Sequence, residues 1–126
     1  MTTRNTTTLV AALGLAALLV PSIAQAGDAE AGKNTYTMFC VTCHGESGKG
    51  DGPVGMALQP PPRDFTSGDF KFDADGDGKP GTDADLKAVI TEGAGKFGGS
   101  ELMAPWSSLA ESDIDNLIAH IHSLKQ

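Results

Sequence analysis

Residues 39–53 read FCVTCHGESGKGDGP, and they hold both cysteines of the 126-residue chain. A Cys-x-x-Cys-His run serves three chemistries: half of a zinc site, a dithiol redox pair, or covalent attachment of a haem. A structural zinc site takes four ligands. Here His44 follows Cys43 directly, and the other histidines, His120 and His122, stand near the C-terminus without a zinc spacing. A thioredoxin-type dithiol opens a helix after a strand. The segment that follows this motif carries Gly45, Gly48, Gly50 and Gly52 and ends at Pro53, so it cannot sustain a helix. A disulfide across two residues closes too small a loop to help much. Haem attachment uses all three side chains: Cys40 and Cys43 form thioethers, and His44 becomes the proximal iron ligand.

The start of the chain fits export. Arg4 precedes the apolar run Leu9 to Val20, which is too short to cross a bilayer, and Ala24-Gln25-Ala26 is an A-x-A cleavage site. Residues 1–26 are therefore expected to be a cleaved signal peptide and residues 27–126 one small domain, placed in the periplasm, where c-type haem is attached in bacteria. Loss of Arg4 takes the formal charge from −7 to −8. That acidity argues against nucleic acid or an anionic membrane as partner, and no segment after residue 26 is apolar enough for a membrane span. Large apolar side chains are scarce in so short a domain, so a covalent staple is expected, and it has to involve Cys40 and Cys43.

Helical signals frame the rest. Asp28 to Phe39 reads as a helix leading into the motif, with Gly32, Tyr36 and Phe39 on or near one face. GTDADLKAVITEG, residues 81–93, is a helix with Thr82 as N-cap, Asp85 as an approximate capping-box partner and Gly93 as its stop. In the last helix, Glu111 to Leu124, the residues Ile114, Leu117, Ile118, Ile121 and Leu124 keep helical spacing and form one buried stripe. Residues 45–62, 64–80 and 95–105 read as loops, and no strand-like alternation is long enough to count.

Over essentially all of residues 27–126 the chain resembles a class I c-type cytochrome of the small bacterial periplasmic kind. The likeness rests on AGKNTYTMFCVTCHGESGKGDGP, PPPRDF, MAPW and LIAHIHSL. It implies an all-α cytochrome c fold, with crossed N- and C-terminal helices and loops wrapping one covalently bound haem. It also implies that a backbone carbonyl of Pro61 or Pro62 accepts a hydrogen bond from Nδ1 of His44. The glycines of GKGDG are then expected where the backbone passes close to the macrocycle. Where the family usually has an aromatic residue packed near Gly32 and Tyr36, this chain has His120; His122 is expected to face solvent.

The sixth iron ligand decides between electron transfer and an open haem site. Met38 lies on the helix entering the attachment site and cannot reach the opposite haem face. Met56 follows the motif in a loop. Met103 sits in a glycine-flanked loop before Pro105 and Trp106 and resembles the family's methionine loop, although Ala104 separates it from the proline. Met103 is the expected distal ligand. One further motif stands apart: Asp73, Asp75, Asp77 and Gly78 copy the first half of a calcium loop, but Ala84 occupies the place of its bidentate glutamate, so a solvated loop is expected. The whole reads as a soluble monomeric periplasmic electron carrier, not an enzyme, docking on redox proteins through their basic surfaces. The competing readings are an open-site gas binder or weak peroxidase, and an electron-transfer subunit of a larger oxidoreductase.

Overall fold

A computed structural model describes residues 26–126; residues 1–25, and with them nearly all of the expected signal peptide, lie outside the described residues. Helix α1, Ala29–Phe39, starts where the Asp28 carboxylate accepts hydrogen bonds from the amides of Glu30 and Ala31, at 2.9 and 3.2 Å. Such a cap satisfies amides that no earlier turn can reach. The chain turns at Cys40 into a single-turn helix α2, Val41–His44, which ends on Gly45 at φ 78°. Helices α3, Asp83–Glu92, and α4, Glu111–Ser123, complete the set, and no strand forms among the described residues. Two short 3₁₀ turns, Gly55–Ala57 and Gly95–Phe97, interrupt segments that read as plain loops.

The crossing of α1 on α4 organises the fold. Ile114, Leu117, Ile118 and Ile121 bury one face of α4 as their spacing requires, while Leu124 is half-buried. Each fully buried aliphatic side chain of this kind stabilises by roughly 1.5–3 kcal/mol. The two backbones touch at Gly32, where an added Cβ would stand 1.9 Å from the Asn116 carbonyl oxygen. No residue but glycine fits there. The Asn116 side chain also accepts from the Asp28 amide at 2.7 Å, which pins the start of α1 to the middle of α4.

His120 lies in this crossing. It is 8 % exposed, and its ring centroid is 5.0 Å from that of Tyr36. His122 is exposed, as expected, and it also takes a partner. Its Nε2 is 2.7 Å from the Asp83 carboxylate and its ring meets the Phe70 edge, because one more step along α4 turns it toward the first turn of α3. Lys87 adds a second tie between these helices, to Glu111 and Asp115.

Helix α3 has the full capping box: Thr82 Oγ1 accepts from the Asp85 amide, and the Asp85 carboxylate accepts from the Thr82 amide at 2.8 Å. Asp85 does more than cap. Its other carboxylate oxygen accepts from the amides of Ala74 and Asp75 at 2.6 and 3.3 Å, which folds the acidic loop back on the helix start. Burial opposes its charge, but the hydrogen bonds from Thr82, Ala74 and Asp75 together hold the carboxyl below the usual carboxylate range. Asp85 thus replaces Asp77 beside Asp73 and Asp75 in the one convergent carboxylate group among the described residues. Asp77 instead accepts from the Lys79 amide at 2.8 Å, in a local turn.

Candidate functional site

One helical turn places the reactive side chains of the motif together. The amides of Cys43 and His44 both donate to the Cys40 carbonyl, at 3.2 and 2.9 Å, so residues 40, 43 and 44 share a face at spacings i, i+3 and i+4. All three line a cavity of about 320 Å³. Both cysteines are half-buried, and no disulfide joins them. Before any covalent attachment, burial, with a smaller contribution from Cys43, pushes the Cys40 thiol up to about 11.

His44 is held from two directions. Its Nδ1 lies 3.2 Å from the Arg63 carbonyl oxygen, and a carbonyl can only accept, so the proton sits on Nδ1 and the Nε2 lone pair is free to bind a metal. The Phe65 ring stacks on the imidazole at 4.4 Å between centroids and 15° between planes. Burial lowers the His44 pKa, against a smaller opposing effect of the Arg63 hydrogen bond, and this keeps the ring neutral.

The Arg63 carbonyl corrects the assignment of that role to Pro61 or Pro62. Both prolines line the cavity, but the Pro62 carbonyl lies against Gly50, where a Cβ would come within 2.6 Å of its oxygen, and the chain offers its next carbonyl to His44. The glycines behind the motif are corrected in the same way. None of Gly45, Gly48, Gly50 or Gly52 lines the cavity. They pack on protein: Gly48, at φ 76°, faces Leu124 and Phe65, and a Cβ at Gly52 would meet the Thr42 carbonyl at 2.4 Å. The close approach they permit is between loop and motif helix, on the outer side.

Residues of the segment 94–106 also line the cavity. Met103 is half-buried and lines the cavity, whereas Met38 and Met56 are 67 % and 71 % exposed and do not. The Met103 carbonyl accepts from the Ala94 amide at 3.3 Å, its amide donates to Ser100, and the Trp106 amide donates to Ile90 at 2.9 Å. Trp106 then packs on Phe39 at 5.0 Å, which closes the loop against the residue preceding Cys40.

The lining fits a flat apolar group with two anchoring thiols and charged ends. Among the described residues, nine hydrophobic side chains are buried, and six of them (Phe65, Leu86, Ile90, Ala94, Leu117 and Ile121) face the cavity, so the core is built as a shell around it. Arg63 and Lys71 bring positive charge to a mostly apolar wall, which also includes Asp85, and they suit carboxylates on the group's rim. The cysteines do not converge with His120 or His122 on a metal-binding group among the described residues. Arg63 and Phe65 are the site residues that sequence reading missed, although both lie in the quoted PPPRDF.

Residues 29–125 match the family described as Cytochrome c. The chain is 40% identical over 103 residues to cytochrome c-554(547) of Halothiobacillus neapolitanus, covering 79% of this chain and 100% of that one. It is 32% identical over 100 residues to the cbb3-type cytochrome c oxidase subunit CcoP of Azospirillum brasilense, of which it spans only 29%. Among solved structures it superposes on a chain of the Kuenenia stuttgartiensis reducing HAO-like protein complex Kustc0457/Kustc0458 with a TM-score of 0.67 and 34% identity, over 80% of this chain and 44% of that one. No helix among the described residues is long and apolar enough to cross a membrane.

Proposed function

Because this chain belongs to the cytochrome c family and its cofactor is a covalently bound haem c, we propose that it is a soluble one-electron carrier of the periplasm, with Cys40 and Cys43 holding the haem and His44 and Met103 binding its iron. The haem supplies reversible Fe(III)/Fe(II) exchange. The observation that carries the reading is the shared cavity: His44 and Met103 both line it, and no other methionine among the described residues does. Nδ1 of His44 donates to Arg63 and so leaves Nε2 as the ligand atom. The thioether of Met103 is a soft, neutral donor that favours ferrous iron and raises the potential. Leu86, Ile90, Leu117 and Ile121 exclude water from the walls, which disfavours the more highly charged oxidised state further.

Export is supported by Leu9 to Val20 and the Ala24-Gln25-Ala26 site, and a free carrier by full coverage of the cytochrome c-554(547) chain. A second reading has its own support. The chain spans 29% of the oxidase subunit and 44% of the chain in the HAO-like complex, so domains of this kind also serve as parts of larger redox proteins. The acidic balance suits a partner with a basic face, and transfer then slows as salt rises, since screening acts over about 8–10 Å at physiological ionic strength.

Visible spectra of the purified oxidised and reduced protein test the proposal. A low-spin haem c spectrum with the weak long-wavelength sulfur-to-iron band, and no response to carbon monoxide, is the expected result. A high-spin spectrum that shifts with carbon monoxide would replace the carrier with an open-site haem protein. Isolation under mild conditions only with other redox subunits would favour the second reading.

A further inference from the structure

His44 hangs on a torsion that the side chain itself does not fix. Rotation of an imidazole about its Cβ–Cγ bond is broad, unlike rotation about a bond between two tetrahedral carbons. The hydrogen bond to Arg63, at 3.2 Å, is at the long end of the normal range and tolerates a spread of ring angles. The second constraint is the Phe65 ring, nearly parallel to the imidazole at 15° and 4.4 Å away.

Phe65 is itself locked. It is 7 % exposed, its amide donates to Gly48 at 2.7 Å, and its carbonyl accepts from Gly68 at 3.1 Å. Its ring meets Tyr36 edge-on at 6.4 Å and Phe70 at 6.1 Å. The wall against His44 is therefore fixed by the backbone on both sides and by two further rings.

We infer that Phe65 is a positioning residue whose ring sets the plane of the His44 imidazole, and with it the orientation in which His44 meets iron. This rests on the proposed haem ligation. Arg63 and Phe65, two residues apart, act as a clamp: the carbonyl takes the ring edge and the phenyl takes the ring face. The orientation of an axial imidazole plane sets how the unpaired electron of low-spin Fe(III) is distributed over the porphyrin. Phe65 therefore tunes the electronic state of the haem without touching the metal.

The test is proton NMR of the oxidised holoprotein, where hyperfine-shifted haem methyl resonances report that distribution. In the native protein, cross-relaxation between Phe65 and His44 ring protons is expected. Phe65→Leu keeps an apolar side chain but removes the flat wall, and it should reorder the methyl resonances; Phe65→Tyr keeps the ring and should restore the native order. A Phe65→Leu protein with a lower melting temperature but the native methyl order would reduce Phe65 to core filling and overturn the inference. If that variant fails to accumulate, the native protein decides: missing Phe65–His44 cross-peaks overturn the inference, and their presence with native order in Phe65→Tyr upholds it. A native chain that carries no covalent haem fails at the earlier step and removes the proposed function itself.

Discussion

On the His44 side of the cavity, a short helix, a backbone carbonyl and an aromatic ring hold one side chain directly, whereas on the Met103 side the hydrogen bonds hold only the main chain. His44 is fixed by its place one residue after Cys43, by the Arg63 carbonyl and by the Phe65 ring. Met103 is placed by hydrogen bonds between loop backbones, 94 to 103, 103 to 100 and 106 to 90, around Gly98 in a left-handed conformation at φ 86°. Its side chain is unbranched and adaptable. Several independent constraints over-determine the first side, so its proposed ligand should be difficult to displace. The second side depends on loop conformation, so its ligand should be replaceable without loss of the fold.

Removing the anchor of the first side is expected to have the largest effect. With Cys40→Ala and Cys43→Ala together, folded protein should fail to accumulate, because six of the nine buried hydrophobic side chains among the described residues face the proposed haem cavity. Acid-acetone extraction of the native protein should leave the haem on the polypeptide. Haem that extracts freely would break the comparison at its base.

Met103→Ala comes next. It should leave a folded holoprotein that binds carbon monoxide and whose potential falls by a sizeable part of the roughly 0.8 V that axial ligation commands. Met56→Ala should change neither property. Equal losses of folded protein from Met103→Ala and from the cysteine pair would show that the two sides are equally structural. Loss of the sulfur-to-iron band in Met56→Ala alone would move the distal ligand.

The same contrast explains what could be read from the sequence. Helix α1, the α4 stripe and the Thr82–Asp85 capping box were legible because local spacing dictates each one, whereas the single turn α2 over the motif was not read. Met103 was singled out by its glycine-flanked loop and its likeness to the family's methionine loop, and it does line the cavity. The acceptor for His44 was not legible. Every residue of 60–64 has a carbonyl, and which one faces the imidazole depends on how Pro62 packs on Gly50. The glycines after the motif misled for a related reason: sequence shows that something passes close, and only packing shows that it is the Pro62–Phe65 segment and the motif helix. Phe65 itself reads as core until its ring is found on His44.

Asp85 extends the comparison to the wall of the cavity, where α3 carries Leu86 and Ile90. Asp85→Asn should lower the melting temperature at neutral pH and speed amide exchange at Ala74 and Asp75. The sign follows from its lowered folded pKa. The stability it contributes is present above the unfolded value of about 3.9 and is lost as pH falls through the folded value. Native and variant melting curves should therefore converge in acid. A gap that persists there would mean that shape, not charge, holds the acidic loop.

The smallest expected effect asks how far back the rigidity of the first side reaches. Tyr36 joins the helix crossing to the motif, because its hydroxyl donates to the Gly45 carbonyl at 2.7 Å, in the residue after His44. Behind Tyr36 sits His120, whose pKa is lowered by burial first and by Lys33 second, against Glu30 and the Ala29 carbonyl, which raise it. A lowered folded pKa means that the folded state prefers the neutral ring. That contribution is fully present above the unfolded value of about 6.5 and declines as pH falls through it toward the folded value. His120→Phe removes the titration and keeps a ring against Tyr36. At neutral pH its larger ring can cost stability by overpacking, so the informative quantity is the trend. As pH drops below about 6.5, the melting temperature of His120→Phe should gain on the native protein. If a protonated His120 loosens Tyr36, amide exchange at Gly50, which donates to the His44 carbonyl at 2.8 Å, should quicken in the native protein over the same range and stay level in the variant. A melting difference independent of pH would place His120 outside the buried crossing. A pH-dependent difference with unchanged Gly50 exchange would confine its effect to the helices and leave the His44 side of the cavity rigid on its own contacts.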